Sequence, residues 1–384
     1  MVAAASVVVA VATVAGTLSA LDEGRGSDQA APDVTMSRSA RLDSFPVPPS
    51  ESASSSPTVS PSPSVSRSHP RARASATPSA TATGTEARSA AVPAGLYRYP
   101  ASQVLDWVGA HPDDPRREVI RSLIADRPAA VWFADFSPAT ITARVRAVTA
   151  AGSVQGRVPV VVAYAIPGRD CGGASQGGAP DLDAYDRWID AFAAGLGSGE
   201  VVVILEPDSI AQSECLGAGA RADRFASLAR AGRVLKAADP KARVYYDAGH
   251  SGWNAPAKQA ARLKQAGAAS PASSDGVFSN VSNFHSTADE IAYDRQVLDA
   301  LGGPASLGAV IDTSRNGNGA PADGQWCDPA GRRIGQVPTL NTGQARIDAY
   351  LWVKLPGESD GCKGTPGTFS PSYAYELARG LSSS

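Results

Sequence analysis

Carboxylates repeatedly follow apolar runs from about residue 160 onward in this 384-residue chain. VVVIL at 201–205 gives way to Glu206-Pro207-Asp208, and other apolar runs lead into Asp170, Asp247 with His250, Asn283, Asp312, and Lys354 with Glu358 and Asp360. The four His (His69, His111, His250, His285) show no metal-ligand spacing and no CxxC pair is present, so a zinc site is not expected. Without a metal quartet, a nucleophilic Ser or an active Cys, a carboxylate cluster points to acid–base chemistry. Glycoside hydrolysis uses such a pair: one carboxyl protonates the leaving oxygen while another activates water or attacks directly. Trp132, Trp253, Trp326 and Trp352 lie at or just after the ends of apolar runs, where an indole can stack on a sugar ring. For Trp352, inside a run, core packing is an equal alternative. Trp326 sits in NGNGAPADGQWCDPAGRR, a Gly- and Pro-rich loop with little to pack against.

The elements that must position these groups are of two kinds. Short β-branched or aromatic runs occur at AAVWFAD (129–135), RVPVVVAYAIPGRD (157–170), VVVILEPD (201–208), ARVYYDAGH (242–250), GVFSNVSNF (276–284), GAVIDTSRNG (308–317) and AYLWVKLPGESDG (349–361). Between them lie stretches of helical period, among them 182–196, 221–239, 257–267 and 287–302. Strand–helix alternation implies a parallel sheet covered by helices. Seven or eight such units in about 290 residues suit a β/α barrel better than an open doubly wound sheet. A barrel carries its active site at the C-terminal strand ends, where the polar residues gather. One such carboxylate alone reads equally well as a loop residue or a helix cap; the recurrence at strand after strand favours a site. No GxGxxG turn opens the first unit, which disfavours a dinucleotide cofactor.

Composition bounds the setting. With 35 Lys and Arg against 37 Asp and Glu, no overall field points to nucleic acid. Residues 1–21 form an uncharged apolar run long enough to cross a bilayer. They read as a signal peptide or a retained membrane anchor, although no basic residue precedes Arg25 as a leader normally has. Both readings mean export, either secreted or extracellular and membrane-anchored. Residues 22–94 are Ser-, Pro- and Ala-rich with hardly any large apolar side chain, so they are expected to be a disordered linker. Residues 95–384 are expected to form the catalytic domain. In an exported chain the four cysteines favour two disulfides, with all three pairings open.

Six stretches in this order, GRDCGGASQGGAP (168–180), LEPDSI (205–210), YYDAGHSGW (245–253), IDTSRNGNG (311–319), WCDPAGR (326–332) and WVKLPGESDGC (352–362), resemble glycoside hydrolase family 6, the inverting cellulases. The resemblance runs from about Tyr97 to the C-terminus and implies a distorted, seven-stranded, TIM-like β/α barrel of the α/β class. It implies no cofactor and no metal, a substrate of cellulose or soluble β-1,4-glucan, and a monomer. Asp208 corresponds to the general acid, its pKa raised by burial and a neighbouring carboxylate. Asp170 corresponds to the residue that tunes this acid and helps pass a proton from water, Ser175 to a member of that water chain, and Tyr164 to the residue that presses the scissile sugar out of its relaxed shape. Asp360 matches the proposed base. Lys354 and Glu358 match sugar-binding groups, and Trp132, Trp253 and Trp326 match stacking platforms. His250 and Asn283 are expected to bond sugar hydroxyls or hold the site together, Arg169 to pair with a site carboxylate, and Asp247 to be structural. The family pairs Cys171 with Cys215 and Cys327 with Cys362. The FADFSP that follows Trp132 departs from many bacterial relatives. The short span between Cys327 and Cys362, 35 positions, favours an open cleft and internal cutting. A cellobiohydrolase or a mixed-linkage glucanase on the same scaffold is the enzymatic alternative. A catalytically silent glucan-binding protein is the other, and it would need a broken carboxylate set.

Overall fold

The computed structural model describes residues 95–380. The expected signal or anchor at 1–21 and the linker at 22–94 lie outside the described residues, as do residues 381–384.

Seven strands pair in chain order, all parallel: β1 Val131–Phe133, β2 Val160–Ala163, β3 Val201–Leu205, β4 Ala242–Asp247, β5 Gly276–Ser279, β6 Gly308–Asp312 and β7 Ile347–Leu351. β2 and β3 are buried along their whole length, which is why VVVA and VVVIL show no apolar–polar alternation. The sheet curls into a half-barrel whose two edge strands do not pair; beside them the N–H of Ala130, just before β1, donates to the carbonyl of Trp352, just after β7, at 2.9 Å. It is the expected distorted seven-stranded barrel.

Side chains alternate across each strand. Val161, Val203, Val244, Val277 and Ile311 face outward against the helices, whereas Val162, Ile204, Tyr245, Phe278, Val310 and Leu351 fill the interior. Continuing the inward row past each strand end reaches Tyr164, Glu206, Asp247, Asn280 and Asp312. Polar side chains, all buried, thus replace apolar ones where the strands end.

The helices are α1 Gln103–Ala110, α2 Arg117–Ile120, α3 Ile141–Val154, α4 Leu182–Ala193, α5 Ala218–Ala238, α6 Pro256–Gln265, α7 Thr287–Leu301 and α8 Pro371–Arg379. α4 shows the local logic: Asp181 caps it by accepting the N–H of Ala184 at 2.7 Å, and Tyr185, Trp188, Ile189 and Phe192 form its buried stripe. α1, α2 and α8 supply much of a separate cluster that includes Trp352 and Leu355, just beyond β7. Trp352 is 1% exposed and its indole N–H donates to the carbonyl of Gln336, so it is core rather than a stacking surface.

Candidate active site

Strand ends here are strained in a recurring way. Asp170, Glu206, Asp208, Asn280 and Ser282 adopt φ between 53° and 68°, a region L-residues seldom visit. All five lie just after β2, β3 or β5, where the chain turns sharply to present side chains at the mouth.

Three of the mouth carboxylates are clamps. Glu206 accepts the N–H groups of Ala165 and Ile166 at 2.9 and 3.0 Å and so ties β3 to the segment after β2. Asp247 accepts from Ile210 and Ala211 at 3.0 and 2.8 Å and from Gly249 at 2.9 Å. Asp312 accepts from Ser314, Ser282 and Lys354 at 2.9, 3.2 and 3.0 Å. Burial pushes all three pKa values up, Glu206 to about 7, while these N–H groups pull the other way. Without the carboxylates, the backbone donors at each strand end would be left unpaired.

Asp208 differs. Among the described residues nothing donates to its carboxyl, and it faces the cleft. Burial, then the charges of Asp247 and Asp170, push its pKa up to about 8. Asp170 accepts from both the N–H and the hydroxyl of Ser175, at 2.8 and 3.0 Å. Because Ser175 spends its one hydroxyl proton there, the 2.8 Å contact with Tyr164 must be Tyr164 donating to Ser175. A directed chain therefore runs from Tyr164 through Ser175 to Asp170. Arg169 pairs with no carboxylate among the described residues; it donates to the carbonyls of Ser175 at 2.7 Å, Ala134 at 2.5 Å and Tyr164 and lies over the Tyr164 ring, because the loop folds back on itself.

Asp360 sits among cations. Arg315, fully buried, donates to it at 2.6 Å, and the Lys354 ammonium lies 3.3 Å from its other oxygen. Asp328 carries the loop, accepting the N–H groups of Asp360, Cys362 and Lys363 at 2.8, 3.0 and 2.8 Å and the hydroxyl of Ser359 at 2.6 Å. Glu358 is raised to about 7 by burial, against the pull of Lys354 and Arg315, and accepts from Gln103 of α1 at 3.2 Å. Both disulfides pair as the resemblance implied, Cys171–Cys215 beside the Asp170 loop and Cys327–Cys362 beside the Asp360 loop. Arg315 and Asp328 lie within the motifs IDTSRNGNG and WCDPAGR but were given no role in the sequence, and Gln103 lies outside every motif; only their partners reveal what they do.

The remaining residues gather at the same place. One cavity of about 1190 Å³ is lined by Tyr164, Asp170, Ser175, Asp208 and Asp360, and by Trp132, His250, Trp253, Asn283, Trp326, Lys354 and Glu358. Trp132 donates its indole N–H to the carbonyl of Val353 at 2.7 Å and meets Tyr164 edge-on. Trp253 and Trp326 are 37% and 58% exposed, so each offers an indole face. Burial pushes the pKa of His250 down to about 3, with His285 adding to it, so the ring is neutral. Its Nδ1 accepts the N–H of Gly252 at 3.2 Å, which leaves the proton on Nε2 as a donor. Asn283 bonds its own loop through the carbonyl of Val281 at 3.1 Å. Aromatic faces, fixed donors and carboxyls of contrasting environment in one cleft suit a neutral, hydroxyl-rich chain.

Comparison with known proteins agrees. Residues 93–378 match the family described as glycosyl hydrolases family 6. The chain is 51% identical over 297 residues to Endoglucanase 1 of Streptomyces sp. (strain KSM-9), covering 77% of this chain and 81% of that protein. It is 48% identical over 284 residues to Endoglucanase A of Thermobispora bispora, covering 74% of this chain but only 61% of that protein's length. Among solved structures, the endoglucanase Cel6 from Mycobacterium tuberculosis, in complex with methyl-cellobiosyl-4-deoxy-4-thio-β-D-cellobioside, superimposes with a TM-score of 0.69 at 38% identity, over 75% of this chain and 97% of that one.

Proposed function

This chain belongs to glycosyl hydrolases family 6, and from that premise we propose that it is an endo-1,4-β-glucanase cutting cellulose or soluble β-glucan with inversion, Asp208 acting as the general acid. The observation that carries the reading is the contrast among buried carboxyls. Glu206, Asp247 and Asp312 are engaged by backbone N–H groups, whereas Asp208 has no donor among the described residues, two acidic neighbours and a pKa raised to about 8. A carboxyl in that setting holds its proton at neutral pH and can pass it to a glycosidic oxygen.

In the proposed reaction the bond from the anomeric carbon to the leaving oxygen breaks as Asp208 protonates that oxygen. Water attacks the same carbon from the opposite face. Asp360 receives the water's proton as the base, with Ser175 and Asp170 as the second route. Tyr164 presses the scissile sugar, the three exposed or half-exposed tryptophans stack its neighbours, and His250, Asn283, Lys354 and Glu358 bond hydroxyls. Internal cutting is supported by the endoglucanase names of the relatives and by the short 35-position span between Cys327 and Cys362. The two disulfides support an oxidising, extracellular setting, secreted or tethered. Residues 95–384 are proposed as the catalytic unit, acting as a monomer.

Proton NMR of cellohexaose during digestion tests the reading. Early α-anomeric product supports inversion, and product lengths locate the cut. Early β-anomer, or no cleavage, overturns it.

A further inference from the structure

We propose that His285, which does not line the cleft, is the positioning residue for the His250–Trp253 platform. The inference rests on the reading of this cleft as a glucan site.

His285 is a fixed post. Its N–H donates to Oδ1 of Asn280 at 3.0 Å, and its carbonyl accepts from the amides of Asn280 and Asn316, each at 3.0 Å. Asn280 also donates to the carbonyl of Asp312 at 2.9 Å. The backbone of His285 is therefore tied to the segments that follow β5 and β6. Its ring lies flat against His250, with centroids 4.2 Å apart and planes at 19°. His250 in turn meets Trp253 at 5.2 Å and 38°.

The turn between these two rings is shaped to the post. A Cβ on Gly252 would stand 2.5 Å from Cε1 of His285, so a larger residue there would have to displace the ring. The N–H of Ser251 donates to Glu290 of α7 at 2.9 Å, fixing the other side of the turn. Trp253, 37% exposed, has cleft on one side, and a loose indole there would lose rotamer freedom on each binding event. The stack from His285 through His250 removes that freedom beforehand. The expected consequence is affinity at one sugar position with little effect on the bond-breaking step.

The test compares the full chain with His285→Ala, His285→Phe, Trp253→Ala and the His285→Ala/Trp253→Ala double variant on cellohexaose. His285→Ala is expected to raise KM about five- to tenfold with kcat within about twofold, and His285→Phe to restore KM, since it keeps a flat ring. The double variant is expected to be no worse than Trp253→Ala alone, because both act on one platform. An unchanged KM, independent effects in the double variant, or failure of phenylalanine to rescue would overturn the proposal. If His285→Ala does not fold, Gly252→Ala, whose methyl displaces the same ring, carries the same expectation. The indole N–H resonance of Trp253 gives a readout without substrate: it should move in His285→Ala and return in His285→Phe. If the wild-type chain cleaves no cellohexaose, the glucanase reading falls while this resonance still decides the role of His285.

Discussion

Asp247 both anchors and charges Asp208. Its carboxylate accepts the N–H groups of Ile210 and Ala211, at 3.0 and 2.8 Å, and so grips the turn that carries Asp208, while its negative charge raises the Asp208 pKa. Placement of the proposed acid, and part of its tuning beside burial and Asp170, thus come from one buried group at the end of β4, which itself cannot move without releasing three backbone donors.

The pH profile follows from this electrostatics. Asp208 must be protonated to donate, so kcat/KM is expected to fall on the basic side near pH 8. Replacing Asp170 by Asn removes one of the charges that raise the acid, so the basic limb should shift to lower pH. Asp208→Asn should lower kcat about 10²–10⁴-fold while cello-oligosaccharide binding survives. A basic limb unmoved by Asp170→Asn would separate Asp170 from the tuning of Asp208.

Stability should move oppositely to activity at this residue. The folded-state pKa of Asp208 lies above its ordinary value of 3.8, so its contribution is fully present below about pH 4 and is lost as pH rises toward about 8. Asp208→Asn removes that loss. The variant is expected to be more stable than wild type by about 1–3 kcal/mol at pH 8, a gain limited because the carboxyl opens on a wet cleft, and to match it near pH 4. Urea titrations at the two pH values measure the difference.

Arg315 is fully buried, 2.6 Å from Asp360 and 3.8 Å from Asp328. Its removal leaves two carboxylates crowded without their main cation. Arg315→Met is expected to cost about 3–5 kcal/mol, as breaking one side of a buried pair does. Asp360→Asn should leave the fold much closer to wild type, yet abolish most hydrolysis. Melting curves and cellohexaose turnover of the two variants check this contrast.

The Cys327–Cys362 bond closes a loop of 35 positions beside Asp360. Cys327→Ser/Cys362→Ser should lower stability by about 2–4 kcal/mol. Turnover should fall as well, because Asp328 then holds the Asp360 loop by hydrogen bonds alone. Thermal melts and kcat, with and without reductant on the wild type, measure both effects.

Much of the barrel was legible because its signals are local. A run such as VVVIL declares a strand buried on both faces, and the carboxylates that follow it declare where the mouth lies. α4 and α7 were equally plain, since their apolar stripes repeat at helical spacing. α1, α2, α3 and α8 went unnamed in the sequence; α3, for one, spreads Ala and Val around its surface and offers weaker contrast. Trp132 and Trp352 both follow the same strand grammar, yet one faces the cleft and the other is buried in the cluster formed with α1 and α8, which begin and end the domain.

By itself, the sequence determined that this is a parallel α/β barrel with its chemistry at the strand ends, because alternation, β-branched runs and ordered motifs are written in consecutive residues. Only the tertiary structure decided which carboxylates are clamps and which is free to act. Glu206 and Asp208 are two positions apart in one motif, but Glu206 reaches N–H groups some 40 residues away, just past the end of the neighbouring strand, while Asp208 reaches none among the described residues. That difference is a matter of which backbones lie side by side, and it exists only once β2 and β3 have paired.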